Sequence, residues 1–142
     1  MGKRDRRRAW KNATYATIKA SSGRVDEKAL LWAKGVEKPG SKREDFMSSG
    51  SRFAVLDIKL AAAINKISTG EIGRKVHQVC DRAINKENRV AKGRELLWII
   101  MDYYSTGHTM ESLYSSIDLL RVTLNGQNIE GFQNTWNMVM QA

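Results

Sequence analysis

Hydrophobic side chains recur at helical spacing through the second half of the chain. The first stripe advances in steps of three and four residues, which place its members on one face of a helix. It consists of Phe53, Leu56, Leu60, Ile64 and Ile67. Three consecutive alanines, 61–63, add strong helix propensity, and Ser68-Thr69-Gly70 marks the end of the predicted helix.

Four more helices are predicted downstream, with short turns between them. The most hydrophobic is the run 96–104, which Gly93-Arg94-Glu95 opens. Its Leu and Met content and the helical periods on both sides favour a central helix over a buried strand. The stripes of the other three are Ile72, Val76, Val79 and Ala83; Leu113, Ile117, Leu120 and Leu124; and Ile129, Phe132, Trp136, Val139 and Met140. Neither βαβ alternation nor a hairpin pattern occurs, so we predict an all-α domain of about five helices.

Polar and charged side chains dominate the first 50 residues. Residues 1–9 carry too little apolar surface to offset the entropy of ordering, which predicts a flexible arm. A weakly amphipathic stretch, 25–34, predicts a short helix, and residues 34–50, with the single proline, three glycines and three serines, are typical of a linker. We therefore predict two parts: 1–50, a basic and largely flexible arm and linker with one or two short helices, and 51–142, the helical domain.

Composition excludes several classes of protein. The 142 residues include 11 glycines, one proline and one cysteine, which excludes collagen-like chains and disulfide scaffolds. No apolar run reaches the roughly 18 residues of a membrane span. No continuous apolar stretch of signal-peptide length follows the charged N-terminus. We expect an intracellular protein, in the cytoplasm or the nucleus, without a membrane partner.

The net charge of +9 is unevenly distributed along the chain. Residues 1–50 hold 13 basic and 6 acidic side chains, residues 51–94 hold 10 and 4, and residues 95–142 hold 1 and 5. A basic front predicts a polyanionic partner, RNA or another nucleic acid, whereas the alternative is a basic tail that only aids solubility. The residues predicted to contact phosphates without base specificity are Lys3, Arg4, Arg6, Arg7, Arg8 and Lys11.

Catalytic and metal-binding patterns are weak. His77 and Cys80 lie about one helical turn apart, which can supply two metal ligands, but a structural zinc site needs four. The same pair lacks an orienting third group for nucleophilic catalysis. Asp102 and Asp118 flank apolar stripes, where solvated carboxylates are the usual case. We expect no enzyme activity, no metal, no cofactor and no small-molecule substrate.

The aromatic residues of the second half lie on or beside the apolar stripes, which favours core packing. A base-stacking platform interleaves aromatic side chains with Lys and Arg. In this sequence the aromatic-rich half is acidic, so we expect the arm and the basic first half to make the nucleic-acid contacts.

A succession of motifs spans residues 51–142. It runs Phe53-x-x-Leu56-Asp57-x-Lys59-Leu60-x-x-Ala63-Ile64, Gly70-Glu71-x-x-Arg74, Lys92-Gly93-Arg94-x-Leu96-Leu97-Trp98, Tyr103-Tyr104, Leu113-Tyr114-x-x-x-Asp118-Leu119-Leu120 and Phe132-x-x-Thr135-Trp136. This succession resembles the Gag-like N-terminal part of copia-type LTR retrotransposon polyproteins, in which an "LW" helix, a Leu-rich helix and an "F…W" helix recur in that order. The matching positions are packing residues, so no catalytic residue is carried over. The zinc knuckle of the family is missing from the sequence.

The resemblance implies a capsid-like helical bundle that self-associates around the RNA of a transposable element. We predict that the last helix contributes to a homo-oligomer through Phe132, Trp136, Met138 and Met140, with docking of that stripe on its own domain as the alternative. The second function hypothesis is a monomeric helical module that binds nucleic acid without assembling.

Overall fold

The computed structural model describes residues 3–50, 52–106 and 117–124, and in this part of the chain every regular element is helical. The α-helices are α1 (Lys3–Ser21), α2 (Lys28–Lys34), α3 (Ala54–Ile67), α4 (Gly70–Lys86), α5 (Gly93–Ser105) and α6 (Ile117–Leu124). Two 3₁₀ turns, Gly35–Glu37 and Arg43–Phe46, lie between α2 and α3. The all-α prediction is confirmed, with six helices in the described residues instead of about five in the whole chain.

The core is built around α5, the most hydrophobic stretch of the sequence. Leu96, Leu97 and Ile100 are completely buried. The helix packs against α3, α4 and both 3₁₀ turns, while α6 packs against α1 and α3. The prediction of a central helix in this region is therefore confirmed.

The structure corrects the prediction for residues 1–50. Residues 3–21 form one helix of 19 residues, which includes most of the stretch 1–9 that was predicted as a flexible arm. Trp10, Tyr15 and Ile18 are buried in the same hydrophobic cluster as the side chains of α3 and α5. The ring of Trp10 meets that of Tyr104 edge to face at 5.6 Å between centroids. A domain boundary near residue 50 would divide this cluster.

The stretch predicted as a linker also belongs to the core. Val36 and Phe46, one from each 3₁₀ turn, are buried, and both turns pack against α5. The indole Nε1 of Trp98 donates a hydrogen bond to Ser41 Oγ at 3.3 Å. The glycines and the proline in this stretch shape turns that follow the surface of α5, so their linker-like composition reflects backbone geometry.

The start of α5 lies in close contact with α3. A Cβ atom added to Gly93 would lie 2.5 Å from the carbonyl oxygen of Asp57 and 2.5 Å from Cβ of Leu60. Asp57 is itself completely buried, and its carboxylate accepts hydrogen bonds from the Arg94 N–H at 2.9 Å and from Ser49 Oγ at 2.6 Å. The first N–H groups of a helix have no acceptor within the helix. Asp57 supplies one from α3.

A second buried carboxylate, Glu95, joins three segments at the same end of α5. Arg89 donates two hydrogen bonds to it, both at 2.9 Å, and Arg43 donates another from the second 3₁₀ turn. The backbone N–H of Lys92 donates to the same carboxylate. Burial raises the pKa of Glu95, but the hydrogen bonds and the two positive charges outweigh burial and leave its pKa below the ordinary value.

Arg94, between these two acids, packs as a flat cation against aromatic rings. Its guanidinium carbon lies 4.8 Å from the ring centroid of Trp32 and 5.1 Å from that of Phe46. It donates hydrogen bonds to the backbone carbonyls of Trp32 and Ser48. Burial lowers the pKa of Arg94, although the group stays charged at neutral pH. Arg94 therefore holds α2 and the second 3₁₀ turn against the start of α5.

We expect Gly93→Ala to lower the free energy of unfolding by about 2 kcal/mol, because overpacking a tight contact costs about 1–3 kcal/mol. Gly35→Ala is the matched control, since an added Cβ there has no described neighbour closer than 3.8 Å. The control should be neutral or slightly stabilising. Urea denaturation measures both values, and equal stabilities would contradict the close contact.

We expect Glu95→Gln to be less stable than the wild type by about 3 kcal/mol at pH 7, because two arginines lose a buried partner. The folded pKa of Glu95 lies below its unfolded value, near 4.3. Its stabilising contribution is therefore complete above that value and is lost as the pH falls through the folded pKa. Urea denaturation between pH 3 and 7 should show a smaller acid loss in the variant. Glu44→Gln, at an exposed carboxylate, should keep the wild-type profile.

Candidate nucleic-acid interface

The predicted phosphate contacts at the N-terminus lie on a helix that is docked on the core. The described side chains among them are Arg6, Arg7, Arg8 and Lys11. Lys3 and Arg4 fall in the first turn of α1, where the side chains lie outside the described part. Residues four apart share a face of a helix, so Arg7 and Lys11 lie one above the other with Arg8 beside them. The buried ring of Trp10 fixes the orientation of that face.

Arg7, Arg8 and Lys11 line a cavity of about 280 Å³ between α1 and the C-terminal end of α5, which we call the α1 cavity. Glu37, Met101, Tyr104 and Ser105 form its other walls. Within the described residues no acidic side chain pairs with Arg7 or Arg8. Guanidinium groups with unused donors suit a phosphate, which accepts paired hydrogen bonds.

Lys11 is held in place by an ion pair across the wall of the α1 cavity. Its Nζ lies 2.6 Å from Oε1 of Glu37, and the hydroxyl of Tyr15 donates to Oε2 of Glu37 at 2.6 Å. Burial raises the pKa of Glu37, but the two hydrogen bonds outweigh burial and lower its pKa below the ordinary value. The pKa of the Tyr15 hydroxyl is raised by burial and by its bond to Glu37. Lys11 is therefore oriented while Arg7 and Arg8 keep their donors.

Sequence reasoning missed a second basic cavity, which lies on α4. It has a volume of about 480 Å³, and Arg82 and Lys86 line it together with Arg43 from the second 3₁₀ turn. Asp81 and Glu87 line it as well, so its excess of positive charge is smaller than that of the α1 cavity. The spacing of four residues between Arg82 and Lys86 was a visible signal. Arg43 is 39 residues away in sequence, and only the fold brings it to this place.

Of the other candidate site residues, His77 and Cys80 are described by the structure, and neither lines the α1 cavity. The predicted self-association residues, Phe132, Trp136, Met138 and Met140, lie outside the described residues. His77 is exposed, with its Nε2 3.1 Å from the carbonyl oxygen of Asn65. Cys80 is half-buried, and burial raises the pKa of its thiol. The described residues contain no group of three or more His, Cys, Asp or Glu side chains arranged to hold a metal ion.

Comparison with protein-family models, with curated proteins and with solved structures finds no match to this chain. Among the described helices none combines the length and the apolar character that crossing a lipid bilayer requires. The basic residues that line the α1 cavity, Arg7, Arg8 and Lys11, therefore provide the main indication of function.

We expect Trp10→Ala to destabilise the protein by about 3 kcal/mol or more, since a large core ring is lost. Arg8→Ala, two residues away on the exposed side of α1, should change stability by less than about 0.5 kcal/mol. Thermal melting followed by circular dichroism compares the two variants. A mild effect of Trp10→Ala would show that α1 contributes little to the core.

Proposed function

We propose that the protein binds RNA or another nucleic acid through its phosphate backbone, using the basic face at the start of α1. The observation that carries the proposal is the α1 cavity, where Arg7, Arg8 and Lys11 converge. Contacts of this kind carry no sequence information, so binding is non-specific and weakens steeply with salt.

The position of these cations in the helix supports the same proposal. Five of the first six residues of α1, 3–8, are basic, and Asp5 is the exception. The N-terminal end of a helix carries a partial positive charge, so cations there destabilise the helix. A bound polyanion offsets that repulsion as well as the repulsion between the side chains. The basic first turns of α1 are therefore more stable with a polyanion bound than without one.

Both function hypotheses from the sequence include this binding. A Gag-like structural protein of a copia-type retrotransposon would add self-association around the RNA, whereas a monomeric module would not. Molecular mass measured by light scattering, with and without RNA, distinguishes them. A higher-mass species that forms with RNA supports the Gag-like proposal, and a monomer at every concentration contradicts it.

The test of binding is the salt dependence of affinity for a single-stranded RNA. Each phosphate contact contributes about −0.7 to the slope of log affinity against log salt. We expect the double variant Arg7→Gln/Arg8→Gln to flatten the slope by about 1.4 and to bind more weakly at low salt. Fluorescence anisotropy with a labelled oligonucleotide measures both quantities.

The matched control is Lys66→Gln/Lys75→Gln, which removes the same charge from exposed positions on α3 and α4. Neither lysine lines the α1 cavity or the cavity on α4. The control should keep a slope close to that of the wild type. Equal slopes for all three proteins would refute the assignment of the interface to α1, and no measurable binding by the wild type would refute the function.

A further inference from the structure

A second cavity adjoins the α1 cavity and has a different chemistry. It measures about 330 Å³ and lies between the first 3₁₀ turn with its following loop and the C-terminal half of α5. Glu37, Met101 and Ser105 line both cavities, so the two lie side by side and share these walls. We call it the Trp98 cavity, because the half-buried indole of Trp98 forms one of its walls. Its size falls within the range of small-molecule sites, about 300–1,000 Å³.

The Trp98 cavity pairs apolar walls with carboxylates. Trp98 and Met101 offer an aromatic ring and a thioether, and the hydrogen bond from Trp98 Nε1 to Ser41 Oγ holds the ring in place. Asp102 supplies a carboxylate acceptor, and Glu37, whose two oxygens already accept from Lys11 and Tyr15, adds a second negative charge against the single cation Lys38. This combination is unfavourable for a phosphate. It is favourable for a flat ring that carries amino donors.

Asp102 has no structural explanation in the fold. It lies in the last turn of α5, where a negative charge opposes the helix dipole. Its side chain is exposed, and within the described residues no cation forms an ion pair with it. A residue that breaks a local rule without a compensating contact is a candidate for binding.

We propose that the two cavities together hold one unpaired nucleotide, with its phosphate in the α1 cavity and its base in the Trp98 cavity. The base packs against Trp98 and Met101, and its exocyclic amino group donates to Asp102. The proposal rests on the proposed function and adds a base preference to it. Adenine, cytosine and guanine carry such an amino group and uracil does not. Because a paired base uses its amino group and stays stacked in the helix, single strands are preferred over duplexes.

The experiment compares equal-length oligonucleotides of adenylate, cytidylate and uridylate, together with a duplex, at one low salt concentration. We expect the wild type to bind the adenylate and cytidylate strands about tenfold more tightly than the uridylate strand, the usual size of one well-placed base contact. Fluorescence anisotropy with competing unlabelled strands measures the ratios. Adenosine monophosphate, titrated alone, should bind more weakly than the adenylate strand. Equal affinity would assign the site to a free nucleotide and overturn its assignment to a strand.

The decisive variant is Asp102→Ala, which makes the protein more positive by one charge. A purely electrostatic surface would then bind every strand more tightly. We expect instead that the affinity for the adenylate and cytidylate strands, divided by that for the uridylate strand, falls to about one. The reason is that the adenylate and cytidylate strands lose a contact that uridylate does not make. Glu27→Ala changes the net charge equally at an exposed site away from both cavities and should keep the preference.

The outcomes separate this proposal from the function on which it rests. Equal binding of all strands by the wild type, with the dependence on Arg7 and Arg8 intact, would overturn the nucleotide site and leave phosphate binding standing. A preference that survives in Asp102→Ala would also overturn it. No binding of any strand would refute the proposed function itself.

Discussion

The fold depends on the way α5 begins. At Gly93 the backbone of α5 comes so close to α3 that no side chain fits, and the buried carboxylate of Asp57 caps the new helix from across the contact. Glu95, two residues on, draws in the two arginines that precede it in sequence. Arg94 packs against the rings of Trp32 and Phe46. Three segments that are distant from it in sequence, α2, the second 3₁₀ turn and α3, therefore meet at the start of α5, and a shift there would disturb all of them.

The fold also brings the basic and the acidic parts of the sequence together. Along the chain, the cations gather before residue 95, whereas the aromatic side chains of the predicted stripes lie mostly in the acidic part after it, which argued against a combined binding surface. In the fold, α1 reaches the C-terminal end of α5 through the contact between Trp10 and Tyr104, and Arg7 and Arg8 share a cavity with Met101 and Tyr104. Separation in sequence is therefore a poor guide to separation in space, since the ring of Trp10 in the first helix meets that of Tyr104 near the end of the central one.

Sequence periodicity predicted α3 and α4 because their apolar stripes are long and regular, whereas α5, a continuous apolar run, was predicted from its Leu and Met content. It missed α1 because the charge of residues 3–8 dominates the composition there and conceals the buried side of Trp10, Tyr15 and Ile18. The sequence predicted that a helix begins near Gly93, but it did not predict the tight contact there, because that contact depends on Leu60, 33 residues earlier. The cations of the α1 cavity were predicted, but the cavity was not, because its other walls come from distant elements.

The position of Trp10, three residues after Arg7, has a consequence for the dynamics of the protein. The ring is buried against Tyr104, so the cations converge on their cavity only while α1 is docked. A ligand that requires the docked helix lowers the population of locally opened states by mass action. Ligand binding and the protection of backbone amides in α1 from hydrogen exchange are thus linked quantities. The stability of the docked Trp10 ring and the convergence of the surface charges are therefore coupled.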